Sequence, residues 1–392
     1  MDKAILKCIK CKSQYLDLSQ GTCSACGGIL LVQYAPEALR DGQNRLLHQR
    51  EIKGISSFEP VLPDIKKDNW VTLQECNTPY IEGKHVREEL GIHSLWMKDE
   101  TRNPTGSFKD RAIALCVSAA LELGVKRVVV ASSGNGAASS AAYGARAGIP
   151  VTVAVPRGTP AGKVIHAQTC RGSICRIPGK FDKSYEYAKE MAKEPGTMNL
   201  TTTFLSPLAV EGYKTMAYEI YMQAGNMPDY VFIPVGAGPV LYGIYKGFEE
   251  LCMTGRLKTI PRLAAVQSEQ CAPIVRAWRT GGKTVGWENP GGIASAIADP
   301  LLGYEDNGDL TVKAIKGSGG LGLTVSDEEI LAAGKLLAGK EGIFVEPSSA
   351  AALAGVMKAK AENLIDSSHD IAVLLTGSGL KDPGKYEERG HK

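Results

Sequence analysis

Chemically able side chains are densest between Lys98 and Arg111, in the run Lys98-Asp99-Glu100-Thr101-Arg102-Asn103-Pro104-Thr105-Gly106-Ser107-Phe108-Lys109-Asp110-Arg111. Asn103-Pro104-Thr105-Gly106 predicts a turn, since proline fixes φ and glycine permits positive φ. Ser107 stands at the expected N-cap of a helix, with Asp110 three residues on and the apolar run Ala112-Ile113-Ala114-Leu115-Cys116-Val117 behind it. Lys109 then falls in the first helical turn, where the helix dipole favours anions over cations. On a solvated surface an isolated Ser-Phe-Lys carries no chemistry. Buried at a helix N-terminus, its ammonium is destabilised, the amine is partly neutral, and it can attack an aldehyde. Lys109 is the candidate nucleophile.

A second constellation lies at the start of the chain. Cys8-x-x-Cys11 and Cys23-x-x-Cys26-Gly27-Gly28 are separated by eleven residues. Two such knuckles with trailing glycines fit a four-thiolate zinc ribbon, with Cys8, Cys11, Cys23 and Cys26 as ligands and a structural role. On spacing alone, two unrelated reduced pairs or a redox pair remain open. The other six of the ten cysteines, Cys76, Cys116, Cys170, Cys175, Cys252 and Cys271, are scattered and read as small buried hydrophobes.

Elements that could position these groups are legible further along. Ser94-Leu95-Trp96-Met97 predicts a short strand just upstream of the lysine turn. Arg127-Val128-Val129-Val130-Ala131 predicts a buried parallel strand, and Ser132-Ser133-Gly134-Asn135-Gly136-Ala137 then opens a helix of small residues. A strand, a Ser/Gly/Asn turn and a helix N-terminus present several N–H groups to an anion, although an ordinary capped turn has the same look. Val151–Val155 and Gly172–Ile177 continue the strand–helix alternation, with Lys163 and His166 on the intervening helix expected to be solvated or packed. Asp229–Val235 followed by Gly236-Ala237-Gly238-Pro239 repeats the strand, glycine turn and helix start. Such alternation implies parallel α/β architecture.

The totals agree with a soluble globular chain. It has 392 residues, 44% of them hydrophobic, and a net charge of +3 from 45 basic and 42 acidic residues. No basic run calls for nucleic acid, no apolar run approaches bilayer length, and the N-terminus lacks a signal-peptide pattern. A cytoplasmic location is the expectation.

The run from Lys98 to Arg111 resembles the Schiff-base lysine motif of the threonine synthases, within the fold-type II pyridoxal-phosphate (PLP) enzymes that include tryptophan synthase β and the serine/threonine dehydratases. Asn77-Thr78-Pro79, Ser132–Ala137, Gly236–Leu241, Gly292–Pro300, Glu346-Pro347-Ser348-Ser349-Ala350-Ala351-Ala352 and Thr376–Pro383 follow in the family's order, over about residues 70 to 385. The resemblance implies a small N-terminal zinc-ribbon-like module over 1–32 and two open, twisted, mostly parallel-sheet units. These are a large PLP-binding domain from 33–111 and 186–392, and a small α/β domain over 112–185.

It further implies PLP on Lys109, with Asn135 on its phenolic oxygen and its phosphate on Gly236, Ala237, Gly238, Val240 and Leu241. Thr376 would face the ring nitrogen, and Ser132, Ser133, Gly134 and Gly136 the substrate carboxylate. Glu346 is expected to cap its helix. The implied reaction is elimination and replacement on a small amino acid, with O-phosphohomoserine and water giving threonine and phosphate, in a homodimer without nucleic-acid or membrane partners.

Three positions depart from the pattern. Pro239 removes an N–H from the phosphate loop, Ser378 stands where a histidine is usual, and Leu205-Ser206-Pro207-Leu208-Ala209-Val210 lacks the arginine expected before Glu211-Gly212-Tyr213-Lys214-Thr215. Lys98, Arg102, Arg111 and Lys214 are the candidates to replace it. A β-eliminating or β-replacing enzyme (dehydratase, ammonia-lyase or sulfhydrylase-like) is the alternative reading. A non-catalytic binding protein of the same fold is the alternative from another class, against which the intact Lys109 and Asn135 count.

Overall fold

The computed structural model describes residues 4–387. It opens with three short antiparallel strands, β1 (Ala4–Cys8), β2 (Gln14–Tyr15) and β3 (Leu30–Tyr34), ordered β2-β1-β3, which carry the cysteine knuckles. Helix α1 (Pro36–Leu47) and two 3-10 turns make up the connector. Then come β4 (Tyr80–Glu82), α2 (Lys84–Leu90), β5 (Ser94–Asp99) and α3 (Lys109–Glu122), the helix that carries the lysine.

Strand–helix alternation follows as the sequence predicts: β6 (Arg127–Ala131), α4 (Asn135–Ala147), β7 (Val151–Pro156), α5 (Ala161–Thr169), β8 (Ser173–Ile177), α6 (Phe181–Met191) and β9 (Thr197–Asn199). These strands form a parallel sheet ordered β8-β7-β6-β9. Its fourth strand lies beyond residue 185, so the sheet runs past the end expected for the small domain.

The rest of the chain adds α7 (Pro207–Gln223), β10 (Tyr230–Pro234), α8 (Pro239–Met253), β11 (Arg262–Ser268), α9 (Pro273–Thr280), α10 (Asp306–Gly317), β12 (Gly322–Val325), α11 (Asp327–Glu341), α12 (Pro347–Ala361) and β13 (Asp370–Leu375). The larger sheet is ordered β12-β11-β10-β13-β5-β4, parallel except for the antiparallel edge strand β4. Its central strands are apolar runs buried on both faces, as helices on either side of a parallel sheet require.

Two corrections concern the lysine turn and the cysteines. Ser107 does not cap α3. The helix starts at Lys109, Ser107 pairs with Gly377 in an isolated bridge, and its hydroxyl has no hydrogen-bond partner among the described residues. Asp110 does the organising instead, accepting from Thr105 N at 2.7 Å, Thr105 Oγ1 at 2.6 Å and Ser139 Oγ at 2.6 Å. Of the scattered cysteines, Cys76, Cys116 and Cys271 are buried, whereas Cys170, Cys175 and Cys252 are only half-buried. No helix among the described residues is long and apolar enough to cross a membrane.

Candidate active site

Ligands of open parallel sheets settle at the carboxyl ends of the strands, and four such ends converge here. β6 runs into Ser132, β10 into Gly236 and β13 into Thr376, while β5 leads through the Asn103–Gly106 turn to Lys109. Leu375 and Asp99 are register partners. The Ser107–Gly377 bridge just beyond them, with Phe108 N donating to Thr376 O at 3.0 Å, brings the start of α3 against the end of β13. Between these ends lies a cavity of about 530 Å³.

Lys109, Ser132, Ser133, Gly134, Asn135, Gly136, Gly236, Ala237, Gly238, Val240 and Thr376 all line it. Leu241 does not. Its side chain is fully buried in the core behind the cavity wall, and only its backbone belongs to the α8 start.

The Lys109 amine donates to Thr202 Oγ1 at 2.7 Å and to Tyr213 OH at 3.2 Å. Burial pushes its pKa down from the ordinary 10.5 to about 8, against the opposing pull of Asp299 and Glu346. Tyr213 reaches it because α7 packs unusually close to α3. A Cβ on Gly212 would stand 2.6 Å from Ala112 Cα and from Arg111 O. Asp299 and Glu346 both line the cavity, and burial raises both carboxyls. Tyr304 OH and Leu301 N donate to Asp299 Oδ1 at 2.7 and 3.0 Å, and Asn135 Nδ2 to the Glu346 carboxylate at 3.0 and 3.2 Å. Glu346 occupies the N-cap position of α12 without capping it, so the capping expectation is corrected: the side chain turns into the cavity.

The candidates to replace the missing arginine are corrected as well. Arg111 forks onto Glu100 and Glu219, each at 2.7 Å, and Lys98 pairs with Glu219 at 2.6 Å, all buried. Lys214 pairs with Glu211 at 2.7 Å and Glu250 at 3.1 Å, with no exposed surface. Arg102 is exposed and outside the cavity lining. Besides Lys109, the basic side chains that line it are Lys163, His166 and Lys381. Lys163 and His166 share a face of α5 by their i, i+3 spacing, which the sequence shows but which says nothing of what that face meets. Lys163 Nζ donates to Ser295 Oγ at 3.1 Å and Lys381 Nζ to Thr105 O at 2.5 Å. Burial lowers the pKa of Lys381, and burial and then Lys381 lower that of His166.

The lining fits PLP on the chain's own geometry. An amine that is easily neutralised suits an aldehyde. Beyond the Gly236–Gly238 turn, Val240 and Leu241 are first-turn residues of α8, whose N–H groups have no intrahelical carbonyl, and Pro239 at the first position forfeits only a group that would be unpaired anyway. Gly238 has φ 107°, and a Cβ there would sit 1.8 Å from Thr311 Oγ1, so no other residue fits this turn.

The four thiols of the N-terminal module come together with all sulfurs within 4.8 Å of one another, and the Cys8–Cys26, Cys11–Cys23 and Cys11–Cys26 separations are 3.5, 3.5 and 3.4 Å. A tetrahedron with metal–sulfur bonds of about 2.3 Å has edges of about 3.8 Å, so a small contraction or expansion accommodates zinc. The module is docked on the larger body. Lys10 pairs with Asp306 at 2.5 Å, Tyr34 OH donates to Glu211 Oε2 at 2.6 Å, and Ile29 and Leu31 pack with Phe204, Val210 and Leu310.

A buried amine of lowered pKa and a glycine turn leading into a helix N-terminus line one cavity, and the fold and site define a PLP-dependent enzyme. Comparison with known proteins agrees. The pyridoxal-phosphate dependent enzyme family matches residues 71–377, and the chain belongs to it as a threonine synthase-like member of fold type II. It is 40% identical to threonine synthase of Methanocaldococcus jannaschii, over 96% of this chain and 93% of that protein. To threonine synthase of Methanosarcina acetivorans it is 38% identical, over 96% and 92%. Among solved structures, the processed form of threonine deaminase isoform 2 from Solanum lycopersicum aligns with a TM-score of 0.68 at 20% identity, over 91% of this chain and 94% of that one, a likeness of fold.

Proposed function

We propose that this chain converts O-phosphohomoserine and water to threonine and phosphate. The supporting observation is that the cavity onto which the Lys109 amine opens is also lined by Lys163, Lys381 and the His166 imidazole, basic side chains of the kind a phosphorylated substrate needs. On this reading Lys109 holds PLP and, once released by the incoming amino acid, moves the α-proton. Bound PLP supplies an electron sink for the charge left on the substrate.

The remaining roles belong to the chain. Asn135 donates to the ring oxygen while Glu346 accepts from the same amide and fixes its orientation. The N–H groups of Gly236, Ala237, Gly238, Val240 and Leu241 hold the cofactor phosphate. Thr376, a neutral partner, leaves the ring nitrogen unprotonated and so favours elimination and replacement over transamination. Ser132, Ser133, Gly134 and Gly136 receive the substrate carboxylate at the start of α4. Cys8, Cys11, Cys23 and Cys26 bind a structural zinc ion. A large PLP-binding domain and a small α/β domain are part of the reading, and the two separate sheets support it. A cytoplasmic homodimer acting on a small amino acid completes the proposal.

The test is phosphate release from O-phosphohomoserine by the PLP-loaded chain, with threonine as co-product. One observation favours a second reading, elimination or replacement at the β-carbon: residues 205–210, before Glu211, are buried and contain no cation. A keto acid formed from serine or threonine, with no phosphate released from phosphohomoserine, would decide for that reading.

A further inference from the structure

A neutral lysine amine has two N–H bonds and one lone pair arranged around nitrogen with Cε. In this chain both N–H directions are taken, by Thr202 Oγ1 at 2.7 Å and Tyr213 OH at 3.2 Å. Both hydroxyls stand on the cavity wall, and they are close enough to interact with each other. Tyr213 is fully buried, its ring 5.1 Å from that of Phe108, and its place is fixed by the close approach of α7 to α3 at Gly212. Burial holds the Tyr213 phenol far above its ordinary titration range, so it stays a neutral hydroxyl at every working pH.

We infer that Thr202 and Tyr213 aim the Lys109 amine, occupying its two N–H bonds so that its lone pair is directed into the cavity. The inference rests on Lys109 being the cofactor lysine, as proposed above. In the proton-transfer step the substrate Cα–H bond breaks and its proton forms the third N–H of Lys109. The electron pair stays with the substrate, where bound PLP would supply its sink. Neither hydroxyl gains or loses a proton, so both act by orientation. Orientation of a reacting pair is worth orders of magnitude in rate, and a displacement of about 1 Å costs roughly a hundredfold.

The test uses the full chain freed of cofactor. Capture of added PLP by Lys109 is followed by absorbance across pH and fixed with borohydride for peptide mapping. Exchange of the threonine α-hydrogen with solvent deuterium is measured on the loaded protein. Tyr213→Phe keeps the ring and Thr202→Val keeps the shape, while the charged groups around the amine, Asp299 and Glu346 with Lys381 and His166 beyond them, are unchanged. The hydroxyls also accept from the ammonium and favour it, so removing either is expected to shift the capture midpoint to lower pH. The same change slows α-exchange roughly ten- to a hundredfold, with KM altered less than about twofold and Thr202→Ser restoring the rate. Midpoints and exchange rates of both variants equal to the parent's would overturn the inference. Failure of borohydride to fix PLP on Lys109 of the parent itself would overturn the cofactor-lysine reading, and this one with it.

Discussion

Tyr34, the last residue of β3, donates its hydroxyl to Glu211 of α7 at 2.6 Å. The contact joins the cysteine module to the helix that two residues later presents Tyr213 to Lys109. Glu211 also receives Lys214 at 2.7 Å and the Lys246 ammonium, so it is a buried anion held by three donors. Tyr34→Phe removes a hydrogen bond to a charged acceptor and is expected to cost about 1.5–3 kcal/mol, read as a lower urea midpoint at unchanged slope.

Metal removal follows from the same docking. The purified chain is expected to hold one zinc ion, measured by elemental analysis, and to lose it on Cys11→Ser or Cys23→Ser. Because Ile29 and Leu31 pack on Phe204 and Val210, loosening the module lowers the melting temperature of the whole chain. Zinc-free protein melting as the zinc-bound form does would show the module to be independent.

Arg111 is the hinge of the buried network under α3. Its guanidinium bonds Glu100 through Nε and Nη2 and Glu219 through Nη1 and Nη2, all at 2.7–2.8 Å. Arg111→Leu strands the buried Glu100 carboxylate and leaves Glu219 to Lys98, and is expected to cost roughly 3–5 kcal/mol. Burial pushes the Glu219 pKa up, but Arg111 and Lys98 overcome it and hold the group at about 2, below the ordinary 4.5. A depressed carboxyl stabilises the fold fully above 4.5 and loses that contribution as pH falls toward 2. Acid titration of the parent should therefore show an unfolding component in that window, which Glu219→Gln lacks.

Lys109 has the same linkage sign in an alkaline window, because its folded pKa is also depressed. Folded, it gives up its proton near 8, and unfolded near 10.5. Between these values the unfolded chain binds more protons, so cofactor-free protein gains stability as pH rises through the window. Denaturant midpoints at pH 8 and 10 are expected to rise in the parent relative to Lys109→Met, which carries no titrating group there.

Lys163 tests the substrate reading. Lys163→Ala removes a cavity cation whose hydrogen bond among the described residues is to Ser295 at 3.1 Å, so the fold should keep its melting temperature. KM for phosphohomoserine is expected to rise about tenfold, the loss of one charge-assisted hydrogen bond of about 1.5 kcal/mol. An equal rise for an unphosphorylated amino acid would place the effect elsewhere.

Local patterns in the chain settled a good deal unaided. The paired knuckles, the valine-rich strands, the glycine turns before α4 and α8, and a lysine set against the dipole at the start of α3 are features of neighbouring residues, governed by turn chemistry and short periodicities. From these the α/β class, the cysteine cluster and most of the cavity wall were legible. Tertiary structure alone decided that Glu346 turns to Asn135, 211 residues away, instead of capping α12, and that Lys98, Arg111 and Lys214 spend their charge on internal partners. It likewise decided that Lys163, His166, Tyr213 and Thr202 face Lys109's cavity. The reason is physical: burial and ion pairing depend on which distant surfaces meet, and a side chain's own sequence neighbourhood carries the direction it leaves its helix but not what waits there.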